Sequence, residues 1–237
     1  MMMNLGNCLT PARRWRYNRF PGPDRTQQMT ISFPRLAAAA ALCLTAAGAA
    51  ASGVAVHVTD SAGAPLPDAV AWLEPEGGNA PSKPLKAAEI EQKGLKFLPL
   101  VTVVQAGSRI EFPNNDKVRH HIYSFSPAHK FDQKLYSGTS ATPQIFEKAG
   151  VVVLGCNIHD KMVAYVRVVD TPYFAKAGAN GVGRVDAPAG KYVLKVWHFN
   201  MAGGQPAEQA LQVKAGDEFG TASLRLAMKP PAGGDAL

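Results

Sequence analysis

The apolar stretches of this chain are short, and glycine or proline stands between most of them. With 22 Gly and 18 Pro in 237 residues, long helices have little room, because proline removes a backbone donor and glycine costs entropy inside regular elements. The chain instead reads as strands joined by turns. In residues 53–76, Val54, Val56 and Val58 alternate, a Gly/Pro turn follows, and Val70 and Trp72 lie in a second strand. The stretch 77–88, "GGNAPSKPLKAA", is a loop. From Glu89 to Asp170 the runs "FLPLVTVVQ", "SRIEFPN", "RHHIYSFS", "TPQIFEKAGVVVLG" and "MVAYVRVVD" are strand-like and show no helical period, while "SPAHKFDQKLYSG" reads as a loop between strands. After Thr171, "AGANG" and "APAG" are turns. "KYVLKVWHF" is a strand with Tyr192, Leu194, Val196 and His198 on one side, "EQALQVKAG" and "TASLRLAM" supply two more, and residues 229–237 form a disordered tail. The expected class is all-β.

The formal charge of +7 points to no nucleic-acid partner once its distribution is considered. Six basic residues against one acid, Asp24, precede position 52, and from Ser52 onward 19 Lys/Arg face 17 Asp/Glu, with no basic patch interleaved with aromatics. The N-terminal excess belongs to an export signal. "MTISFPRLAAAAALCLTAAGAAASG" starts at Met29, carries Arg35 before an Ala-rich apolar run, and ends in small residues suited to cleavage near Ala49 to Ala51. Residues 1–51 are thus expected to be an upstream extension and a Sec-type signal peptide, with Met29 the real start. Arg13-Arg14 lies too far from the apolar run to serve as a twin-arginine signal. The run itself falls short of the ~18–20 apolar residues of a membrane span. The mature chain is expected in the periplasm, as a monomer with no membrane span.

That compartment makes one residue conspicuous. Cys8 and Cys43 fall in the removed segment, so Cys156 has no partner in its own chain where paired thiols oxidise to disulfides. Cys156, His159 and Met162 stand on one tight loop, "CNIHDKM", between an apolar strand and the next strand at Val163. Thiolate and thioether favour Cu(I), and imidazole suits both copper states. A further ligand is available from His120 or His121 in "FPNNDKVRHHIYSFS". Strand parity places Val118, His120 and Ile122 on one face and Arg119, His121 and Tyr123 on the other, which favours His120 for a buried site.

"NNDKVRH" followed by "CNIHDKM" resembles the cupredoxins, the type 1 blue copper proteins, over residues 95–170. Plastocyanin, pseudoazurin and amicyanin carry an Asn-rich turn and a ligand His, then Cys-x-x-His and an axial Met, and the short Cys-x-x-His-x-x-Met spacing is similar to that of amicyanin. The resemblance implies a Greek-key β-sandwich over 89–170. It also implies one type 1 copper, with His120, Cys156 and His159 as trigonal ligands and Met162 as the weak axial one, tuned by backbone amides near Cys156 and by apolar packing. It implies electron transfer with an unidentified redox protein partner, through the edge of His159. Two positions depart from the family. His121 stands where an Asn usually ties the ligand loops together, so an imidazole must remake that bond, or His121 is itself the ligand. Ile158, Asp160 and Lys161 flank His159 where Pro and apolar residues are common, which gives a partner a more charged surface. Residues 53–76 and 171–214 resemble a carboxypeptidase regulatory-like sandwich in "D..G.PL..A.V.L" and "PAG.Y.L.V", implying a second small β-sandwich, formed by 53–76 and 171–228, into which 89–170 is inserted. Proteins of this general form are often labelled methylamine utilisation or plastocyanin-like.

The remaining signals carry less. His57 and His198 read as strand residues and His129 as a solvated loop residue. "GVGRVDAPAGKY" lacks the earlier Gly and the Ser or Thr of a phosphate loop. A cysteine hydrolase has no use for Met162, and thioether is a poor zinc ligand. The expected function is therefore periplasmic electron transfer without catalysis. A copper-binding or copper-delivery protein using the same ligands is the alternative, and a binding sandwich with a vestigial metal site is a more distant one.

Overall fold

The computed structural model describes residues 52–78, 80, 87–138, 142–216 and 219–230. The expected signal peptide, most of the 77–88 loop and residues 231–237 of the expected tail lie outside the described residues.

Among the described residues there is no helix, and the chain runs through strands alone. The first are Gly53–Asp60 (β1), Val70–Pro75 (β2), Ala88–Glu89 (β3), Glu91–Gln92 (β4), Phe97–Leu98 (β5) and Val101–Gln105 (β6). There follow Ser108–Glu111 (β7), His120–Ser124 (β8), Phe131–Tyr136 (β9), Gln144–Phe146 (β10), Gly150–Cys156 (β11) and Val163–Val169 (β12). The last are Phe174–Lys176 (β13), Val182–Asp186 (β14), Gly190–Trp197 (β15), Ala207–Val213 (β16) and Gly220–Leu226 (β17).

The strands sort around two apolar cores. Sheets ordered β14-β1-β17 and β13-β2-β15-β16 share a cluster that includes Val56, Trp72, Leu73, Leu194, Val196 and Leu224. Sheets ordered β10-β7-β3 and β6-β12-β11-β8-β9 share a second, with Ile110, Phe112, Ile122, Phe146, Leu154 and Val166. The molecule is all-β, built of packed sheets. A two-residue period explains which residues face inward. On β12, Ala164, Val166 and Val168 are buried while Tyr165 and Arg167 point the other way, and on the neighbouring β11 the buried set is Val152, Leu154 and Cys156.

The outward face of that sheet is covered too. Val103, Val151 and Tyr165 pack against the first cluster, and the Arg167 guanidinium lies 4.3 Å over the Trp72 ring. Burial pushes the Arg167 pKa down, opposed by the charges of Glu74 and Asp170.

Several local expectations need correction. The loop "SPAHKFDQKLYSG" contains strand β9, which pairs with β8. Its pattern is weak because it is an edge strand, exposed at Asp132, Lys134 and Leu135. "TPQIFEKAGVVVLG" is two strands, β10 and β11, in different sheets. Val118 precedes β8 and is 46% exposed, so it does not share the buried face of His120 and Ile122. His129 is half-buried rather than solvated, its ring 4.5 Å from that of Phe146.

His198 lies just past the end of β15, buried, where its Nδ1 accepts the amide of Asn200 at 3.1 Å and its ring bonds the Pro67 carbonyl. Burial pushes its pKa below the ordinary 6.5, against the opposing effects of the Pro67 bond and the charge of Asp68. A histidine whose folded pKa lies below its unfolded one stabilises fully above the unfolded value and less as pH falls beneath it. Unfolding free energy should therefore decline as the pH falls through and below the ordinary histidine value of 6.5. Urea titrations of the wild type and His198→Asn across that range should show a shallower decline in the variant, and parallel profiles would refute the assignment.

Candidate metal centre

Three donor atoms from two elements and a loop converge at one end of the second core. Cys156 closes β11, where it registers with Ile122 of β8, and His120 opens β8. His159 comes from the turn after Cys156. That turn is closed by the Met162 amide donating to the His159 carbonyl at 2.8 Å and the Cys156 amide donating to the Met162 carbonyl at 3.2 Å. Cys156 Sγ lies 3.8 Å from His120 Nδ1 and 3.7 Å from His159 Nδ1. All three donor atoms fall within 4.8 Å of one another.

These separations suit a shared ion. A first-row divalent metal with bonds of about 2.3 Å to sulfur and about 2.0 Å to nitrogen, opened by about 120°, places sulfur about 3.7 Å from each nitrogen. His120 is fully buried, Cys156 is 4% exposed, and His159 is half-buried. The donor set is a thiolate and two imidazoles, and a buried thioether, Met162, packs in the same cluster and lines the same cleft as Cys156. Soft sulfur with imidazole suits copper better than zinc, magnesium or calcium.

The structure brings His120 to Cys156 and turns His121 away, as alternation along β8 requires. His121 Nε2 instead bonds Asp132 on β9. Its imidazole does not tie the ligand loops together. The main chain does, through the Asn157 amide donating to the His121 carbonyl at 3.3 Å.

Residues around the donors were not singled out by spacing. Asp116 Oδ2 sits 2.8 Å from His120 Nε2 and 14% exposed. Burial raises the Asp116 pKa, but bonds from His120 and the amides of Leu95 and Gly94 outweigh it and hold the carboxyl below its ordinary value. Asn114 is buried and bridges the carbonyls of Val118 and Tyr136 at 2.9 Å each. Tyr136, opposite His120, donates its hydroxyl to the Phe112 carbonyl at 2.6 Å. Burial pushes that phenol up to about 12, and the charge of Cys156 adds to the shift, so Tyr136 stays a donor. A carboxylate four residues before a strand-opening histidine, as in "DKVRH", was the available signal for Asp116.

Beside the donors runs a cleft of about 460 Å³ lined by Tyr123, Phe125, Val153, Gly155, Cys156 and Met162 among others. Tyr123 packs against Gly155, where a Cβ would sit 2.8 Å from the ring. The surface near His159 is mixed: Asp160 and Lys161 are exposed, and so are Ile158 (48%) and Phe125 (76%).

No protein-family model matches this chain, and no curated protein does. Solved structures similar to part of it include a copper-containing nitrite reductase from Thermus scotoductus SA-01. That match has 22% identity, covers 40% of this chain and 25% of the reductase, and has a TM-score of 0.34. A purple cupredoxin from Nitrosopumilus maritimus matches at 24% identity over 35% of this chain and 99% of its own, with a TM-score of 0.31. A point mutant of amicyanin in its reduced Cu(I) form matches at 17% identity over 42% of this chain and 98% of its own, TM-score 0.33. The matched stretch is thus a quarter of the reductase chain.

Proposed function

We propose that this protein is an exported, periplasmic electron-transfer protein of the cupredoxin kind, with a single type 1 copper held by His120, Cys156 and His159 and, axially, by Met162. The observation that carries the reading is the approach of both Nδ1 atoms to Cys156 Sγ at 3.7 and 3.8 Å. Bound there, copper would supply a one-electron couple between Cu(II) and Cu(I), taking an electron from a reduced carrier protein and giving it to an oxidised one.

The chain's own residues do the rest. His120 and Cys156 are fixed in a packed core, so neither can move far when the charge at the site changes. Met162 is buried in the same apolar core as Cys156, where its thioether is held in place by packing. His159, half-buried on the turn, is the route to the surface, and the mixed apolar and charged residues around it are where a partner would dock. No substrate chemistry is assigned to these residues. Among the described residues no helix is long and apolar enough to cross a membrane.

The test is a visible spectrum of the protein titrated with Cu(II), followed by ascorbate and then oxidant. An intense thiolate-to-copper band that bleaches and returns is the expected result. Copper bound in one state only, and surrendered to a chelating acceptor, would replace electron transfer by copper delivery.

A further inference from the structure

The outward face of the sheet β6-β12-β11-β8-β9 is covered over only part of its length. Along β12, Val169 and Tyr165 pack into the first core and Arg167 lies on Trp72, but the series ends at Val163, 36% exposed. On β11, Val151 is covered and Val153 is 41% exposed. Tyr123 faces the same way on β8, and just past that strand Phe125 is 76% exposed, its ring 5.1 Å from that of Tyr123. Gly155 registers with Val163 on one side and Tyr123 on the other, so these residues are neighbours. The apolar face that joins the two cores therefore continues past the edge of their contact and stands uncovered. Single exposed apolar residues are ordinary on a protein surface, whereas a contiguous set marks an interaction site.

The patch carries both a knob and a hole. Phe125 is the knob, and the cleft of about 460 Å³ beside it is the hole. A cavity of about 150 Å³ is already enough to hold a benzene ring. Its charged flanks are balanced. Asp160 lines the cleft with Lys161 exposed next to it, and on the other flank β9, whose Asp132 registers with Tyr123 and bonds His121, exposes Asp132 and Lys134. One acid and one base on each flank offer no complement to a partner of a single strong charge. They do complement a second copy, because a two-fold contact sets residue i against j and j against i, and so brings acids of one copy to bases of the other.

We propose that two copies of this chain pair through this patch about a two-fold axis, with the Phe125 ring of each seated in the cleft of the other. The pairing extends the internal contact between the two cores into a contact between subunits, in place of the monomer expected from the sequence. Cys156 and Met162 line the same cleft, so Phe125 of the partner subunit closes the wall beside the residues assigned to the metal. That consequence rests on the copper reading above; the pairing does not.

The test is sedimentation of the metal-free full chain at rising concentration, with 15N–1H amide spectra recorded over the same dilution series. The wild type should form a dimer with a Kd below about 1 mM, the weak end of specific association. Amide shifts on dilution should gather around Phe125, Val153 and Val163. Phe125→Ser removes the seated ring and should weaken pairing about 10-fold or more, as loss of a central aromatic anchor does. Val153→Lys sets a cation on the wall of the cleft and should weaken it as much. Both positions are exposed, so neither change threatens the fold. A wild type that stays monomeric to that concentration would overturn the proposal and leave the patch to a different protein. A dimer that both substitutions leave intact would overturn it as well. A dimer weakened by both in a chain that binds no copper would support the pairing and sink the copper reading.

Discussion

Cys156→Ser should give a copper-titrated protein with no intense visible band at all. The colour of such a site arises from charge transfer between a thiolate and Cu(II), and Cys156 is the sole cysteine among the described residues. A serine hydroxyl is a hard, weakly acidic donor that copper does not favour over sulfur. Affinity should fall by more than the roughly 10–100-fold that loss of an outer partner costs, because a direct ligand is removed. The fold should survive, since the change is nearly isosteric and the Cys156 amide still reaches the Met162 carbonyl. A variant that keeps the band would place copper elsewhere in the chain.

Trp72→Ala should cost about 3–5 kcal/mol of stability by urea unfolding, the range for emptying a large buried aromatic site. Trp72 is 1% exposed, at the centre of β2 between β13 and β15. Its loss does more than open a cavity. Its Nε1 donates to Glu74 at 2.9 Å, and its face carries Arg167 of β12. Arg167 Nε is buried without a hydrogen-bond partner, so removing the ring leaves a cation more poorly compensated. Because β2 and β12 belong to different sheets, stability should fall on both sides of the contact. Trp72→Phe, which keeps an aromatic face, should lose distinctly less. Equal losses for the two variants would show that Arg167 gains nothing from the ring.

The all-β character was legible because alternation and turn residues are local signals. Val54, Val56 and Val58, and again Tyr192, Leu194 and Val196, are buried on one side of their strands. The sulfur–imidazole loop was legible for the same reason: Cys156, His159 and Met162 fall within seven residues, and a turn that short leaves them few ways to be apart. The choice between His120 and His121 followed from parity, and the structure places His120 beside Cys156.

What stayed hidden was whatever depended on distant partners. Strand β9 carries little apolar signal of its own, and its hydrogen bonds come from β8. The tie that His121 was expected to make is made by its carbonyl, which every residue type possesses. Alternation puts Arg167 opposite Val166 on β12 but says nothing of Trp72, 95 positions earlier, whose ring carries its guanidinium. Asp116 sat within the motif, but its role depends on amides of Gly94 and Leu95, 22 and 21 residues away.

By itself the sequence determined strand periodicity, turn positions and the chemical kinds of donor on one loop, since these depend on residues within a few positions of each other. Tertiary structure alone decided that a histidine 36 residues before Cys156 points its Nδ1 at the thiol. It also decided that the amides of Gly94 and Leu95 reach the carboxylate behind that ring. Side-chain type is a local property, whereas the approach of donors to within hydrogen-bonding or coordinating distance is set by sheet register, and register is fixed only when whole strands pack.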